Sequence, residues 1–255
     1  MKILLLSILA LAMFGFMISS VIAASGDITA VKTDSEGNNL EHDVDVGTHN
    51  SLVQVDSDTY ALAYTGHGYD GWISTFTISS DGTTITEVDS LEHDTNNVEY
   101  NSLVQVDSDT YALAYAGVSN DGYISTFTID SDGAITAVMT QSEGNNLEHD
   151  TALAEYNSLV QVDSDTYALA YQGASSDGFI STFTIDSDGA ITAVKTQSEG
   201  NNLEHETDIA RYNSLVQVDS DTYALAYEGP DSDGFISTFT ISSDGTTITE
   251  VASLE

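Results

Sequence analysis

Carboxylates dominate the chemistry available to this 255-residue chain, and most of them recur at fixed places. One set sits in four copies of Asp-Ser-Asp-Thr: Asp56 and Asp58, Asp107 and Asp109, Asp163 and Asp165, Asp219 and Asp221. A second set sits in Asp-Gly turns: Asp81, Asp130 with Asp132, Asp186 with Asp188, and Asp244. Oxygen-rich turns of this kind suit Ca²⁺, which takes about six to eight oxygen ligands. The competing chemistry is local, because Asp side chains accept bonds from their own backbone in ordinary turns. These turns are shorter than a full calcium cage and no Glu sits at a closing position, so the local reading is preferred. No cofactor is demanded; Ca²⁺ is the ion these turns would take.

A third constellation is Leu-Glu-His-Asp. It gives Glu41-His42-Asp43, Glu92-His93-Asp94 and Glu148-His149-Asp150, and then Glu204-His205-Glu206. Histidine between carboxylates has the composition of a transition-metal site. Neighbouring residues in an extended segment point opposite ways, however, so one tripeptide chelates poorly. The expectation is that each His hydrogen-bonds where the chain crosses between units, while the acids face water.

The remaining candidates vary from copy to copy. Four loops read GHGYDG (66–71), GVSNDG (117–122), GASSDG (173–178) and GPDSDG (229–234). They supply His67, Tyr69, Asp70, Asn120, Asp121, Asp177, Asp231 and Asp233 as ligand-binding candidates, joined by Arg211, the single arginine. His67, Tyr69 and Trp72 would form a mixed aromatic and polar patch for a sugar or peptide. Trp72 is replaced by Tyr123, Phe179 and Phe235 in the other copies, which favours packing as its role. Arg211 would neutralise neighbouring acids. No nucleophile elbow, phosphate loop or zinc-helix motif occurs, and no catalytic residue is assigned. A carboxylate pair for glycoside cleavage is hidden among so many acids if it exists, since separation in space decides it.

The elements that must position these groups follow from repetition. Asn50–Tyr64 reads NSLVQVDSDTYALAY, and the same fifteen letters return at Asn101–Tyr115, Asn157–Tyr171 and Asn213–Tyr227. Exact recurrence at 51 to 56 residues means one supersecondary unit stacked four times. Within a unit, four short strands are predicted: A at Leu52–Val55, B at Tyr60–Tyr64, C at Trp72–Ile78 and D at Thr84–Val88. In strand B the large Tyr60, Leu62 and Tyr64 face one way and Ala61 and Ala63 the other, so both faces need covering. Chain direction puts the AB and CD turns at one end and the BC and DA connections at the other. The DA connections also vary, as THN, VEYN, AEYN and ARYN before the shared Ser-Leu. Recognition is expected at that end.

A four-stranded repeat of about 50 residues has the character of a β-propeller blade. The chain resembles the secreted, acidic β-propeller repeats of microbial surface proteins. That resemblance covers residues 28–252 and rests on SLVQVDSDTYALAY followed by DG-x-ISTFTI. The Gly-His…Trp-Asp signature and the kelch double glycine are both absent, so no named functional family is implied. The fold expected is all-β, a propeller with blades at about 50–89, 101–140, 157–196 and 213–252. A lone outer strand is expected at about 27–33, because Ile28–Thr33 matches Ile191–Thr196 closely. That gives one strand more than four blades need. The expectation is a fragment of a longer array, or a ring that closes only by assembly; the alternative is a fifth strand on one blade of a four-bladed ring.

Composition bounds the setting. Asp and Glu number 41 against 4 Lys and Arg, a formal charge of −37, which disfavours nucleic acid and anionic lipid as partners. Self-repulsion of that size eases in strong salt, where the Debye length falls to roughly 3 Å at 1 M. An apolar content of 41% with 13 Tyr argues against disorder, and cysteine is absent. Residues 1–24 read as a signal peptide: Lys2, the apolar run Ile3–Met17, then small residues around Ala23 and Ala24. An uncleaved anchor over Ile3–Ala24 is the rival. Either way the expected location is secreted or at the extracellular cell surface, with no membrane insertion of the mature chain.

The function expected from these features is a non-enzymatic propeller scaffold that binds an extracellular protein or glycan through its BC and DA loops. A structural surface-array or adhesin module is one alternative, and a propeller hydrolase or lyase on carbohydrate is the other.

Overall fold

A computed structural model describes residues 39–255; the leader and the lone strand at 27–33 lie outside the described residues. Four antiparallel sheets follow one another along the chain. Blade 1 comprises β1 (Thr48–Gln54), β2 (Thr59–Thr65), β3 (Gly71–Ile78) and β4 (Ile85–Asp94). Blade 2 has β5 (Glu99–Gln105), β6 (Thr110–Ala116), β7 (Gly122–Ile129), β8 (Ile135–Met139) and β9 (Leu147–Asp150). Blade 3 has β10 (Glu155–Gln161), β11 (Thr166–Gln172), β12 (Gly178–Ile185), β13 (Ile191–Lys195) and β14 (Leu203–Glu206). Blade 4 has β15 (Arg211–Asp219), β16 (Thr222–Glu228), β17 (Gly234–Ile241) and β18 (Ile248–Leu254).

The four strands read from the repeat are all present. The Leu-Glu-His-Asp segment is not a free linker, however. It is the far end of the outer strand in β4 and a separate short strand in β9 and β14, each paired to strand C of its own blade. The inner strands β1, β5, β10 and β15 pack on one another in series, and among the described residues β15 and β1 make no comparable contact. The described residues form an open arc of propeller blades. Among the described residues, no helix is long and apolar enough to cross a membrane.

Packing between blades follows from the large and small faces of strand B. Tyr111, Leu113, Tyr115 and Phe127 of blade 2 bury against Ala61, Ala63 and Ile73 of blade 1, and the pattern repeats at the next two junctions. Side-chain hydroxyls tie each blade to the next at the same positions. Ser51, Ser102 and Ser158 each accept a bond from the backbone N–H of Leu103, Leu159 or Leu215, at 2.9–3.0 Å. Thr75, Thr126 and Thr182 donate to the carbonyls of Gly133, Gly189 and Gly245 in the following CD turn.

Blades approach one another closely at the head of strand C. A Cβ added at Gly122 would stand 2.5 Å from the imidazole of His149 and 2.6 Å from Ala154 Cβ. Both neighbours are fully buried, so neither can swing aside. Gly122→Ala is therefore expected to destabilise the fold by about 1–3 kcal/mol, the cost of overpacking a filled core. Thermal unfolding would show this as a Tm lowered by roughly 2–4 °C per kcal/mol; an unchanged Tm would mean the blades are free to part.

Candidate functional site

The place where residues of different blades converge is the DA end of the inner strands. Each inner strand begins with a bulge, seen as a register break at Thr48/Ser51, Glu99/Ser102, Glu155/Ser158 and Arg211/Ser214. The residue inside each bulge is aromatic and left-handed: His49 (φ 52°), Tyr100 (57°), Tyr156 (54°) and Tyr212 (53°). Bulky side chains adopt that backbone at a cost of about 1–3 kcal/mol each, and such residues cluster at functional sites. The bulge re-aims the ring from the sheet face toward its neighbours. The four rings touch in sequence, His49 edge-on to Tyr100, then Tyr100 to Tyr156 and Tyr156 to Tyr212 with planes tilted by 50–59°, and with centroids 4.6–4.7 Å apart throughout. Asn101 and Asn157 brace this ladder by donating to the carbonyls of His49 and Tyr100, both at 3.1 Å.

The residue before each ring is Thr48, Glu99, Glu155 or Arg211, so three residue types share the four places. Glu155 is partly buried, and its pKa is raised first by burial and then by the negative charge of Glu99, with Arg211 pulling it back down. Burial also raises the Tyr100 and Tyr156 hydroxyls, which interact with one another. Two carboxylates, a single guanidinium and a run of rings therefore lie at one end of the arc, close enough for their charges to influence Glu155. Glu99 and Glu155 were not among the sequence candidates. The signal was present in the variation THN, EYN, EYN, RYN, but it takes the fold to bring residues 56 apart within electrostatic reach of one another.

The sequence candidates are placed as follows. The BC loops and the DA connections do share an end, since the N–H groups of Val98, Ala154 and Ala210 donate to the carbonyls of Tyr69, Asn120 and Ser176. His67 and Tyr69 lie on the exposed rim; His67 Nδ1 bonds Asp45 at 2.8 Å, with the His67 side chain 77% exposed. Asp70 faces Glu92, and Asp121 faces Glu148. Burial and the partner carboxylate raise both glutamates. Asp177, Asp231 and Asp233 stay in the loops of their own blades, with Asp231 left-handed at φ 58°. Arg211 alone among the candidates enters the axial group.

The turn carboxylates are engaged locally. Asp56, Asp107, Asp163 and Asp219 each accept a bond from the next residue's N–H, and Asp130 and Asp186 each accept two from the turn they start. Asp81 and Asp244 are held down to about 2 by backbone and hydroxyl donors. Among the described residues no cluster of three or more His, Asp or Glu side chains is arranged to hold a metal.

The Leu-Glu-His-Asp expectation needs correction on two counts. His93 and His149 are fully buried between blades, and among the described residues neither ring nitrogen of either has a hydrogen-bond partner. They pack edge-on against Tyr115 and Phe127, and against Tyr171 and Phe183. Asp94 and Asp150 do not face water but are buried, accepting bonds from Tyr115 at 3.1 Å and Tyr171 at 3.0 Å. The cause is the pairing of this segment with strand C, which carries it under the next blade.

No protein-family model matches the chain, and no curated protein matches it. Solved structures do. A protein from Lactobacillus plantarum superposes with a TM-score of 0.53 at 16% identity, covering 77% of this chain and 54% of that one. The exo-β-1,3-galactanase of Phanerochaete chrysosporium gives 0.51 at 15% identity, covering 87% and 52%. A proposed 6-phosphogluconolactonase of Bacteroides fragilis gives 0.51 at 12%, covering 83% and 72%. The chain spans about half the length of the first two. At these identities the likeness establishes the fold, an all-β propeller architecture. It also overturns the expectation of a non-enzymatic scaffold, because chains named for hydrolytic activities share this architecture and repetition is no argument against catalysis.

Proposed function

We propose that this chain is a propeller hydrolase acting on carbohydrate at the axial group of Glu99, Glu155 and Arg211. The observation that carries the reading is the setting of Glu155: burial and the charge of Glu99 keep it protonated to higher pH than an ordinary carboxylate. Glycoside cleavage uses such a pair, one carboxylic acid protonating the leaving oxygen and one carboxylate serving as base or nucleophile. Glu155 takes the first role and Glu99 the second. Tyr212, 65% exposed at the end of the ladder, offers a ring face on which a sugar can stack. The apolar leader and the acidic composition support work outside the cell, where polymeric glycans are met.

Two measurements test this. The full chain is assayed against a panel of aryl glycosides and neutral polysaccharides, and hydrolysis of at least one is expected. Arg211→Gln is then compared with wild type across pH. Removing the guanidinium takes away the one influence that lowers Glu155, so the alkaline limb of the rate profile should move to higher pH. A limb that stays in place, or no hydrolysis of any substrate, defeats the assignment.

A further inference from the structure

The two outer faces of the arc are the two halves of an interface that the molecule already forms three times. We propose that a second copy of this chain docks head to tail, its blade 1 covering blade 4 of the first. The proposal rests on the repeat geometry and is independent of the hydrolase reading.

Blade 4 presents every group that blades 1, 2 and 3 use to hold the next blade. Ile236 is 52% exposed, whereas its counterparts Ile73, Ile124 and Ile180 are all 0% exposed. Thr238, the counterpart of Thr75, Thr126 and Thr182, reaches no following turn and bonds only Ala252 O in its own blade at 3.5 Å. Ser214, the counterpart of Ser51, Ser102 and Ser158, is exposed. Gly71, Gly122 and Gly178 each abut a histidine ring, while Gly234 has nothing within 4 Å of its Cβ position.

Blade 1 presents the matching half. Leu52 is 58% exposed, against 4% for Leu103 and Leu159 and 3% for Leu215, each of which gives its N–H to a serine of the preceding blade. His42 packs edge-on against Tyr64 at 4.8 Å, as His93 packs against Tyr115. It is the one Leu-Glu-His-Asp imidazole with no strand-C glycine behind it among the described residues. The Gly82 carbonyl, counterpart of Gly133, is the acceptor that Thr238 lacks. Apolar face, glycine notch, serine and threonine hydroxyls thus find their counterparts when the junction seen within the chain is formed between chains, provided that Leu254, which pairs Ile236 as Leu91 pairs Ile73, makes way for Leu40 of the second copy.

Docking of this kind would extend the axial site. The ladder ends at Tyr212, and His49 of the second copy would take the next place on it, bringing that copy's Thr48 beside Arg211. The contact is heterologous, using two different patches, so it produces rings or chains of molecules rather than back-to-back pairs. Both copies are strongly negative, so association should strengthen as salt screens them.

Light scattering after size exclusion is the first test, on the full chain at about 0.1 M and 1 M salt. A species of two or more chains, favoured by concentration and by salt, is expected. Because the chain has no cysteine, Ser214→Cys and Leu52→Cys can be made as separate proteins. Under oxidation a mixture of the two should give a disulfide-linked heterodimer, and neither protein alone should. Gly234→Val, at a position with open space within its own chain, should abolish assembly while leaving thermal unfolding of the isolated chain unmoved. The proposal is overturned by a monomer at every concentration and salt. It is equally overturned if the Leu52→Cys/Ser214→Cys double variant closes on itself within one chain, or if the thiol of the Ser214→Cys protein is shielded from labelling in a monomer.

Discussion

Glu155→Gln is expected to lower glycoside hydrolysis by about 10²- to 10⁴-fold, the usual contribution of a positioned general acid. The amide keeps the shape of the side chain but cannot give a proton to a leaving oxygen. Substrates whose leaving group needs no protonation, such as dinitrophenyl glycosides, should lose far less, and that contrast separates acid catalysis from a folding defect. Glu99→Gln should lower turnover on both substrate types, because its carboxylate is needed whether or not the leaving group is assisted. It should also lower the Glu155 pKa, since one of the charges that raises it is gone. Equal losses on activated and unactivated substrates for Glu155→Gln would remove Glu155 from the acid role.

Acid should unfold this protein through its buried histidines rather than through its many surface carboxylates. Burial holds His93 and His149 down to about 3 and His205 down to about 4. In the unfolded chain each takes up a proton near pH 6.5, while the folded chain keeps it neutral. The stability these residues contribute is therefore complete above pH 6.5. It is lost as pH falls toward 3–4, at about 1.4 kcal/mol per pH unit for each histidine. Asp94 and Asp150 act the other way: burial raises them, so the folded state binds their protons first and gains stability as pH drops through their raised pKa values. Three histidines outweigh two aspartates, so Tm is expected to hold down to about pH 6.5 and to fall as pH drops from there toward 4. His149→Leu removes one contributor and two unpartnered ring nitrogens, so it should reduce that slope by roughly a third with little loss at pH 7.5. Parallel curves for the two proteins would show that the buried imidazole does not control the acid transition.

The blade was legible in the sequence because its causes are local and repeated. Alternating Tyr and Leu against Ala in TYALAY dictate a strand buried on both faces, and Asp-Gly supplies its turns. Fifteen identical residues recurring four times leave stacking as the only way to cover those faces. The sharing of one end by the BC and DA connections followed from chain direction alone. What escaped was everything that depends on which blade touches which. The Leu-Glu-His-Asp segment reads as a polar linker, since nothing in four residues says that strand C will pair with it and carry His149 and Asp150 under the next sheet. Glu99 and Glu155 read as ordinary charges before a shared Tyr-Asn pair, and Arg211, though marked out as the single arginine, had no partner assigned. Only the convergence of the inner strands puts their charges within reach of each other, and only the left-handed bulges turn their neighbouring rings into a ladder. Sequence periodicity encodes which faces must be hidden from water. Charge coupling falls with distance through space, which the chain sets only once its blades are side by side.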